Sequence, residues 1–530
     1  MAEPSPVPHP RRLRWQRVVR DCALPAAIAV FALLLRLHGL GAKPFWLDEV
    51  TSFYRATGSL SHLVLDALHN RHYPSYFLLL WGVARWGASQ ALLRLPSAIL
   101  GAAAAGLACA LGRRVAGAAS GAAAGLLMAL SPFEVQFGQE ARSYTLVGVL
   151  ILVALLGLVR LAQEPAAAAR PWRQSGLRGA WLAYGLGTAA ALCVLNVAMA
   201  WLVVANLGAV AIAWQAGAAT GSETRRAFLR RWGIVQLLVV AAWAPWLAAV
   251  CLFGKASLVE GARWAPPETL GTIWSALAPV YLLRISDFIT FGLAPAAVPG
   301  RSAAVAALAA LGAWRLRRTP AVLAVIGGAA LLVPLGMLLL TPFVPVLVPR
   351  YFMWSAAPFF VLAGAGLGGL TGLRFAVAAP VLLAAGLINL APYYHDETKP
   401  RWDLLAARLA TEARPGDVVL VNRGYSDYVF SVFAQRVDLA GRGVRIARHL
   451  AEAKRLAPGH DLWAVYGRTG QGPMMAPQDY LRSLAPFGRP RAESSVGRYI
   501  ILWRFAEPAK TEPPIAPQPG TAATVGVLQP

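Results

Sequence analysis

The feature that most limits how this chain can fold is a succession of long apolar runs. They lie near residues 22–40, 95–112, 115–131, 143–161, 180–196, 197–214, 232–252, 303–316, 320–340, 352–370 and 373–392. Crossing a bilayer takes about 20 apolar residues in a helix, and a helix satisfies its own backbone hydrogen bonds where no water can. The runs predict an all-α polytopic membrane protein of about eleven spans. Composition agrees: 57% of the 530 residues are hydrophobic and 14% charged, against roughly a quarter charged in soluble domains.

Charge orients the runs. The formal net charge of +24 is not gathered on one domain, which argues against a nucleic-acid partner. It sits in short clusters: Arg11, Arg12, Arg14, Arg17 and Arg20, then Arg113 and Arg114, residues 160–178, 225–231 and 315–318, and Arg374. Cytoplasmic loops are enriched in Lys and Arg. A cytoplasmic N-terminus places every cluster on that side and the C-terminus outside. The run from Tyr76 to Trp86, broken by Arg85, is too short to span. It reads as a helix lying at the outer face, within a first outer loop of about residues 41–94. The basic N-terminus (1–21) has no small-residue cleavage site after its apolar run, so the first helix is read as uncleaved.

Beyond the membrane domain (22–395), residues 396–508 alternate charged helical stretches such as 402–413 with β-like runs at 417–422, 461–466 and 498–505. This predicts a small extracytoplasmic α/β domain, followed by a disordered Pro-rich tail (509–530). Cys22, Cys109, Cys193 and Cys251 have neither metal-ligand spacing nor a disulfide pattern. Gly364, Gly366 and Gly369 match a dinucleotide-binding spacing, but inside an apolar run, where small residues serve close helix packing.

The candidate site is Asp48-Glu49, two carboxylates beside Phe45 and Trp46 at the membrane surface. Ionisable groups so placed are functional by default, a solvated acidic loop being the plain alternative. The same topology puts Arg36 and His38, the turn Ser131 to Tyr144, a loop of about 253–302 carrying Lys255, Glu260 and Arg263, and the turn ending Arg350-Tyr351 on that face. Snorkelling or capping accounts for any one of these groups; their coincidence points to a site. An interfacial helix is also expected within residues 270–283.

Trp46-Leu47-Asp48-Glu49, His72-Tyr73-Pro74-Ser75-Tyr76, Leu93-Arg94-Leu95-Pro96-Ser97 and the stretch from Ser131-Pro132 to Gln139-Glu140-Ala141-Arg142-Ser143-Tyr144 resemble bacterial family 39 (ArnT/PMT-like) glycosyltransferases of the GT-C fold. Trp264-Ala265-Pro266-Pro267 and Pro349-Arg350-Tyr351 are similar to weaker signatures of the same family. The resemblance covers roughly residues 30–400. It implies transfer of a sugar from a polyprenyl-phosphate donor to a lipid, glycan or protein hydroxyl at the outer leaflet. Asp48 would be the general base, since an acceptor hydroxyl is a weak nucleophile, and inversion is expected. Glu49 would orient the acceptor. Arg350, Lys255 and Arg142 would meet the leaving phosphate. Arg36, Arg55, His72, Glu140, Tyr144 and Tyr351 complete the expected substrate-binding set. No cofactor is required; a divalent metal on His69, His72 or Glu140 is a possibility without further ligands in view. The rival readings are a lipid-linked sugar flippase or secondary transporter, and a scaffold whose outer domain binds cell-wall polymer. Transporters place their charges near the bilayer midplane, often in repeated halves, and neither feature is found here.

Overall fold

The computed structural model describes residues 10–255, 269–283, 299–343, 346–422, 425–467 and 475–506, with no side-chain description for 10–20 and 299–302. Glu260, Arg263, Trp264 to Pro267 and the tail lie outside these residues. Each predicted apolar run coincides with a helix: Pro10–Leu37, Gln90–Ala116, Ala118–Leu130, Tyr144–Gln163, Arg178–Leu192, Met199–Thr220, Ser222–Phe253, Pro299–Leu316, Pro320–Leu340, Ala356–Leu367 and Gly372–His395. Among the described residues, six helices are long and apolar enough to cross a membrane alone. A seventh span forms if Ala118–Leu130 continues through a 62° bend into Pro132–Gly138. The bend sits where Ser131 caps the second segment, accepting from the Glu134 N–H, and Pro132 occupies its first turn.

The outer faces of these helices remain apolar. Leu237 and Leu238 on Ser222–Phe253 are 71% and 62% exposed, which suits hydrocarbon and would penalise a water-soluble fold. Inside the bundle, lipid offers no hydrophobic drive between helices, so close packing through small residues takes over. Gly364 and Gly366 show how close. A Cβ on Gly364 would collide with the Ser120 carbonyl, and one on Gly366 with the Leu308 carbonyl. The glycine-rich match is a helix-packing seam.

Short helices line one end of the bundle. Leu47–Thr57, Leu60–His69 and Ser75–Val83 follow the first long helix, and Leu270–Tyr281 lies further along the chain. Ser75–Val83 is nine residues long, as its interruption by Arg85 leads one to expect.

The C-terminal unit is a five-stranded mixed sheet of β1 (Val418–Val421), β2 (Arg445–Ala447), β3 (Leu462–Gly467), β4 (Ala492–Val496) and β5 (Ile500–Phe505), in the order β2-β1-β3-β5-β4. The β2-β1-β3 portion is parallel and β3-β5-β4 antiparallel. Three of these strands match the β-like runs. β2 and β4 were not anticipated: one has three residues, the other is the polar sequence Ala-Glu-Ser-Ser-Val.

Alternation along β1 and β3 divides the core. Val418, Leu420, Leu462 and Ala464 belong to a cluster of their own on one face. Val419, Val421, Trp463 and Val465 join Trp402, Phe430 and Phe433 in a cluster continuous with the membrane bundle. The helix Ser426–Arg436 lies on Leu47–Thr57, where the Tyr54 and Ser431 hydroxyls meet at 2.8 Å. The Arg436 guanidinium covers the Phe45 and Phe53 rings at 5.4 and 5.6 Å. The sheet domain is thereby seated on the helix that bears the two carboxylates.

Candidate active site

Asp48 and Glu49 occupy the first turn of Leu47–Thr57, where the positive end of the helix dipole favours negative charge. Being adjacent on a helix, they point apart, and the structure gives them different surroundings. Glu49 is fully buried. Its Oε1 and Oε2 accept from Arg94 Nε and Nη2 at 2.7 and 2.8 Å. Oε1 also accepts the Ala141 backbone N–H at 3.0 Å, and Oε2 accepts from Lys399 Nζ at 2.9 Å. Burial pushes this carboxyl toward its neutral form, but Arg94 and Lys399 outweigh it and hold the group well below the ordinary carboxylate range. The rest of the Arg94 guanidinium donates to the carbonyls of Leu40, Lys43 and Pro44. One arginine thus fixes both the loop that enters the helix and the carboxylate in its first turn.

Asp48 lies at the edge, with 14% of its side chain exposed. Arg142 Nη2 stands 3.4 Å from its Oδ2 and Arg350 Nη2 3.9 Å from the same atom. Arg142 also donates to the Asp48 carbonyl at 3.4 Å. Arg350 lies over the Trp46 and Tyr351 rings, 5.6 Å from each, and Arg142 over Tyr144 at 5.7 Å. Two guanidinium groups against one partly open carboxylate leave a positive excess suited to a phosphate, beside an oxygen able to take a proton. Three chain segments meet here: the helix start at 47–49, the turn at 139–143 and the single-turn 3-10 helix Pro349–Tyr351.

Glu140 is fully buried. Its nearest cation is Lys399, 3.3 Å away, and neither of its oxygens has a well-directed hydrogen bond among the described residues. Burial raises its pKa above the usual carboxylate value, with the Glu49 charge adding to the effect and Lys399 and Arg94 opposing it.

Arg55, which is buried, and His72, which is half-buried, form a second cluster. Arg55 Nε pairs with Asp66 Oδ2 at 2.6 Å, its Nη1 lies 3.1 Å from His72 Nδ1, and it covers the Phe77 ring at 4.4 Å. Arginine can only donate, so His72 accepts at Nδ1 and carries its proton on Nε2. Burial, then the Arg55 and Arg142 charges, lower the His72 pKa to about 3, so the ring is neutral.

Two expected members stand apart from Asp48. Arg36 is fully buried and donates to the carbonyls of Ala32, Met128 and Ala129. It closes the end of Ala118–Leu130 at the bend, packed over Gly101 and Gly138. Lys255 is exposed, and its backbone N–H donates to the His69 carbonyl at 2.9 Å. Arg94 and Lys399 are the participants that sequence reasoning did not assign. Arg94 stood within a quoted motif, its polarity at the head of an apolar run being the available signal. Among the described residues, no three of His, Cys, Asp and Glu gather as metal ligands would.

The apolar helix bundle, with short helices around a charged site and a small sheet domain set on that end, is a multi-pass membrane architecture with a GT-C-like fold. Two solved structures of ArnT from Cupriavidus metallidurans share it, one bound to undecaprenyl phosphate and one in the apo state. They superpose with TM-scores of 0.55 and 0.56 at 14% identity, covering 91% of this chain and 98% and 99% of theirs. The archaeal oligosaccharyltransferase AglB from Archaeoglobus fulgidus, in complex with an inhibitory peptide and a dolichol-phosphate, aligns over 86% of this chain and 70% of its own, with a TM-score of 0.49 and 11% identity. No family model matches the chain, and no curated protein does.

Proposed function

We propose that this protein is a membrane glycosyltransferase that moves a sugar from a polyprenyl-phosphate donor to an acceptor hydroxyl. The observation that carries the reading is Asp48, partly open and flanked by Arg142 and Arg350. Lipid-linked phosphate is the leaving group best suited to such a pair of cations at a membrane face. The ArnT fold relationship, with undecaprenyl phosphate in one of those structures, points the same way.

In this mechanism the acceptor oxygen attacks the anomeric carbon as its proton passes to Asp48. The bond from that carbon to the phosphate oxygen breaks, and the polyprenyl phosphate departs with the electron pair and one added negative charge. Inversion follows from a single displacement. Arg142 and Arg350 meet the growing charge on the phosphate, and as they turn toward it they release Asp48 to act as a base. Glu49 holds the helix start, and Arg94 holds Glu49. The reaction is assigned to the outer face of a bacterial cytoplasmic membrane, with a cytoplasmic N-terminus and the sheet domain outside, since that arrangement puts all the basic loop clusters in the cytoplasm.

The test is transfer of radiolabel from a panel of polyprenyl-phosphate sugars into a membrane lipid and glycan extract, using purified, reconstituted protein. Wild type is expected to transfer label, and Asp48→Asn to lose about 10²–10⁴-fold in rate while still binding donor. An Asp48→Asn variant with unchanged turnover removes Asp48 as the base. Lipid-linked substrate that changes leaflet without any transfer makes the protein a flippase.

A further inference from the structure

Lys399 lies in the link between the last apolar helix, Gly372–His395, and the first helix of the sheet domain, Trp402–Glu412. It is 350 residues from Glu49 along the chain, yet its ammonium is buried between Glu49 Oε2 at 2.9 Å and Glu140 Oε1 at 3.3 Å. These two carboxylates belong to two of the three segments that build the site. Glu49 follows Asp48 directly, and Glu140 precedes Arg142 by two residues. A third connection closes the group, because the Ala141 N–H donates to Glu49. Flanking residues anchor the link as well: Lys43 Nζ donates to the Asp396 carbonyl at 2.8 Å, and Glu397 accepts the Arg498 N–H at 2.9 Å.

The charges explain what this ammonium does. Arg94 serves Glu49 from the helix Gln90–Ala116, Tyr393 faces the group from Gly372–His395, and Lys43 from the entry loop. Tyr76 and Arg350 act on Glu140 from further off. Within 4 Å, however, Lys399 is the one cation that reaches Glu140 among the described residues. Two buried carboxylates with Arg94 alone would leave one negative charge uncompensated, and such a charge is relieved by movement or by taking up a proton.

We propose that Lys399 is a positioning residue for the transfer reaction. It uses the seating of the sheet domain to lock the turn 139–143 onto the start of Leu47–Thr57, and so sets the distance from Arg142 to Asp48. This role rests on the glycosyl-transfer reading. It makes the domain link part of the active site's support, so that a signal or ligand that shifts the sheet domain alters Asp48 without touching it.

The experiment compares full-length wild type, Lys399→Met and Lys399→Met/Glu140→Gln in reconstituted vesicles. It follows kcat and KM against pH with a polyprenyl-phosphate sugar that the wild type turns over, and amide hydrogen exchange of residues 47–57 and 139–144. Lys399→Met is expected to lose about tenfold or more in kcat at the alkaline end of the profile with little change in KM, since small misplacements of reacting groups are costly. Its activity should recover as the pH is lowered and Glu140 takes up a proton, a recovery that a purely structural defect would not produce. The double variant, which has no uncompensated carboxylate, should recover most of the loss at the higher pH and restore exchange protection to both segments. A Lys399→Met variant with wild-type kcat, pH profile and protection overturns the role. If the single variant fails to fold, the double variant decides: transfer supports the role, and a folded double variant without transfer overturns it. Should wild type transfer no sugar from any donor, the glycosyl-transfer reading falls. Exchange alone then judges the coupling, with unaltered protection in Lys399→Met overturning it.

Discussion

At the scale of single residues, the arrangement around Asp48 poses a conflict that binding of the proposed donor would resolve. A carboxylate held by two arginines is a poor base, and two arginines holding a carboxylate are less available to phosphate. The distances of 3.4 and 3.9 Å are long for tight pairs, which suits an exchange of Asp48 for the phosphate of the proposed donor. Arg142→Lys and Arg350→Lys each keep the positive charge but lose the planar fork. Both are expected to lower kcat more than they raise KM, by about 10²-fold for the more closely engaged Arg142; steady-state kinetics on the reconstituted variants reads the difference. His72 supports a prediction about stability. Its pKa is about 3 in the folded protein against 6.5 ordinarily, so below about pH 6.5 the unfolded chain binds a proton that the folded chain does not. Stability therefore falls as the pH drops from about 6.5 toward 3. Thermal unfolding in detergent should show that slope, and His72→Gln should flatten it. Sequence alone brought Asp48, Arg142 and Arg350 into view because each sits in a polar turn between apolar runs. It misplaced Arg36, since hydrophobic pattern does not tell which way a lone arginine at a helix end turns. Here it turns inward to Met128 and Ala129.

At the scale of elements, the helix Leu47–Thr57 is too short to be stable by itself. Its position comes from what grips its two ends and its face. The Arg94–Glu49 pair grips the start, Arg55 pairs with Asp66 of the following helix, and Tyr54 reaches the Ser431 hydroxyl of the sheet domain. Glu49→Gln would leave Arg94 and Lys399 buried with one carboxylate fewer, at a cost of about 3 kcal/mol or more. The expected result is a lower unfolding midpoint and lost activity together. A Glu49→Gln variant with wild-type stability and selective loss of turnover would instead make Glu49 a direct participant. The apolar runs were legible because hydrocarbon demands length and apolarity of every span, and the short Ser75–Val83 helix because Arg85 interrupted its run. The pairing of Arg94 with Glu49 was not, since nothing local records a contact between residues 45 positions apart. β2 and β4 escaped for a related reason: three residues, or a strand of mostly polar residues, carry no periodic signal, and their neighbours in the sheet define them.

At the scale of the whole molecule, the sheet domain and the helix bundle share one hydrophobic cluster. Phe45 and Leu63 belong to it together with Trp402, Phe430, Phe433 and Trp463. The change in composition after His395 suggests a separable outer domain, but composition does not reveal which face of a domain is apolar. One face of β1 and β3, with its helices, is closed by the bundle, so removing the sheet domain strips the cover from Phe45 and withdraws Lys399 from Glu49 and Glu140. A chain ending after residue 395 is therefore expected to insert in membranes, because its spans need only hydrocarbon, but to lose the order of the segment from Lys43 to Thr57. Limited proteolysis of membrane vesicles checks this directly. Tryptic cleavage after Arg55 should appear in the shortened chain and be absent from the full one, while the long helices stay protected in both. Adding the separately expressed sheet domain should not restore protection fully, since the covalent link is what delivers Lys399 to its pocket. Equal protection in the two chains would mean that the bundle orders Asp48 unaided.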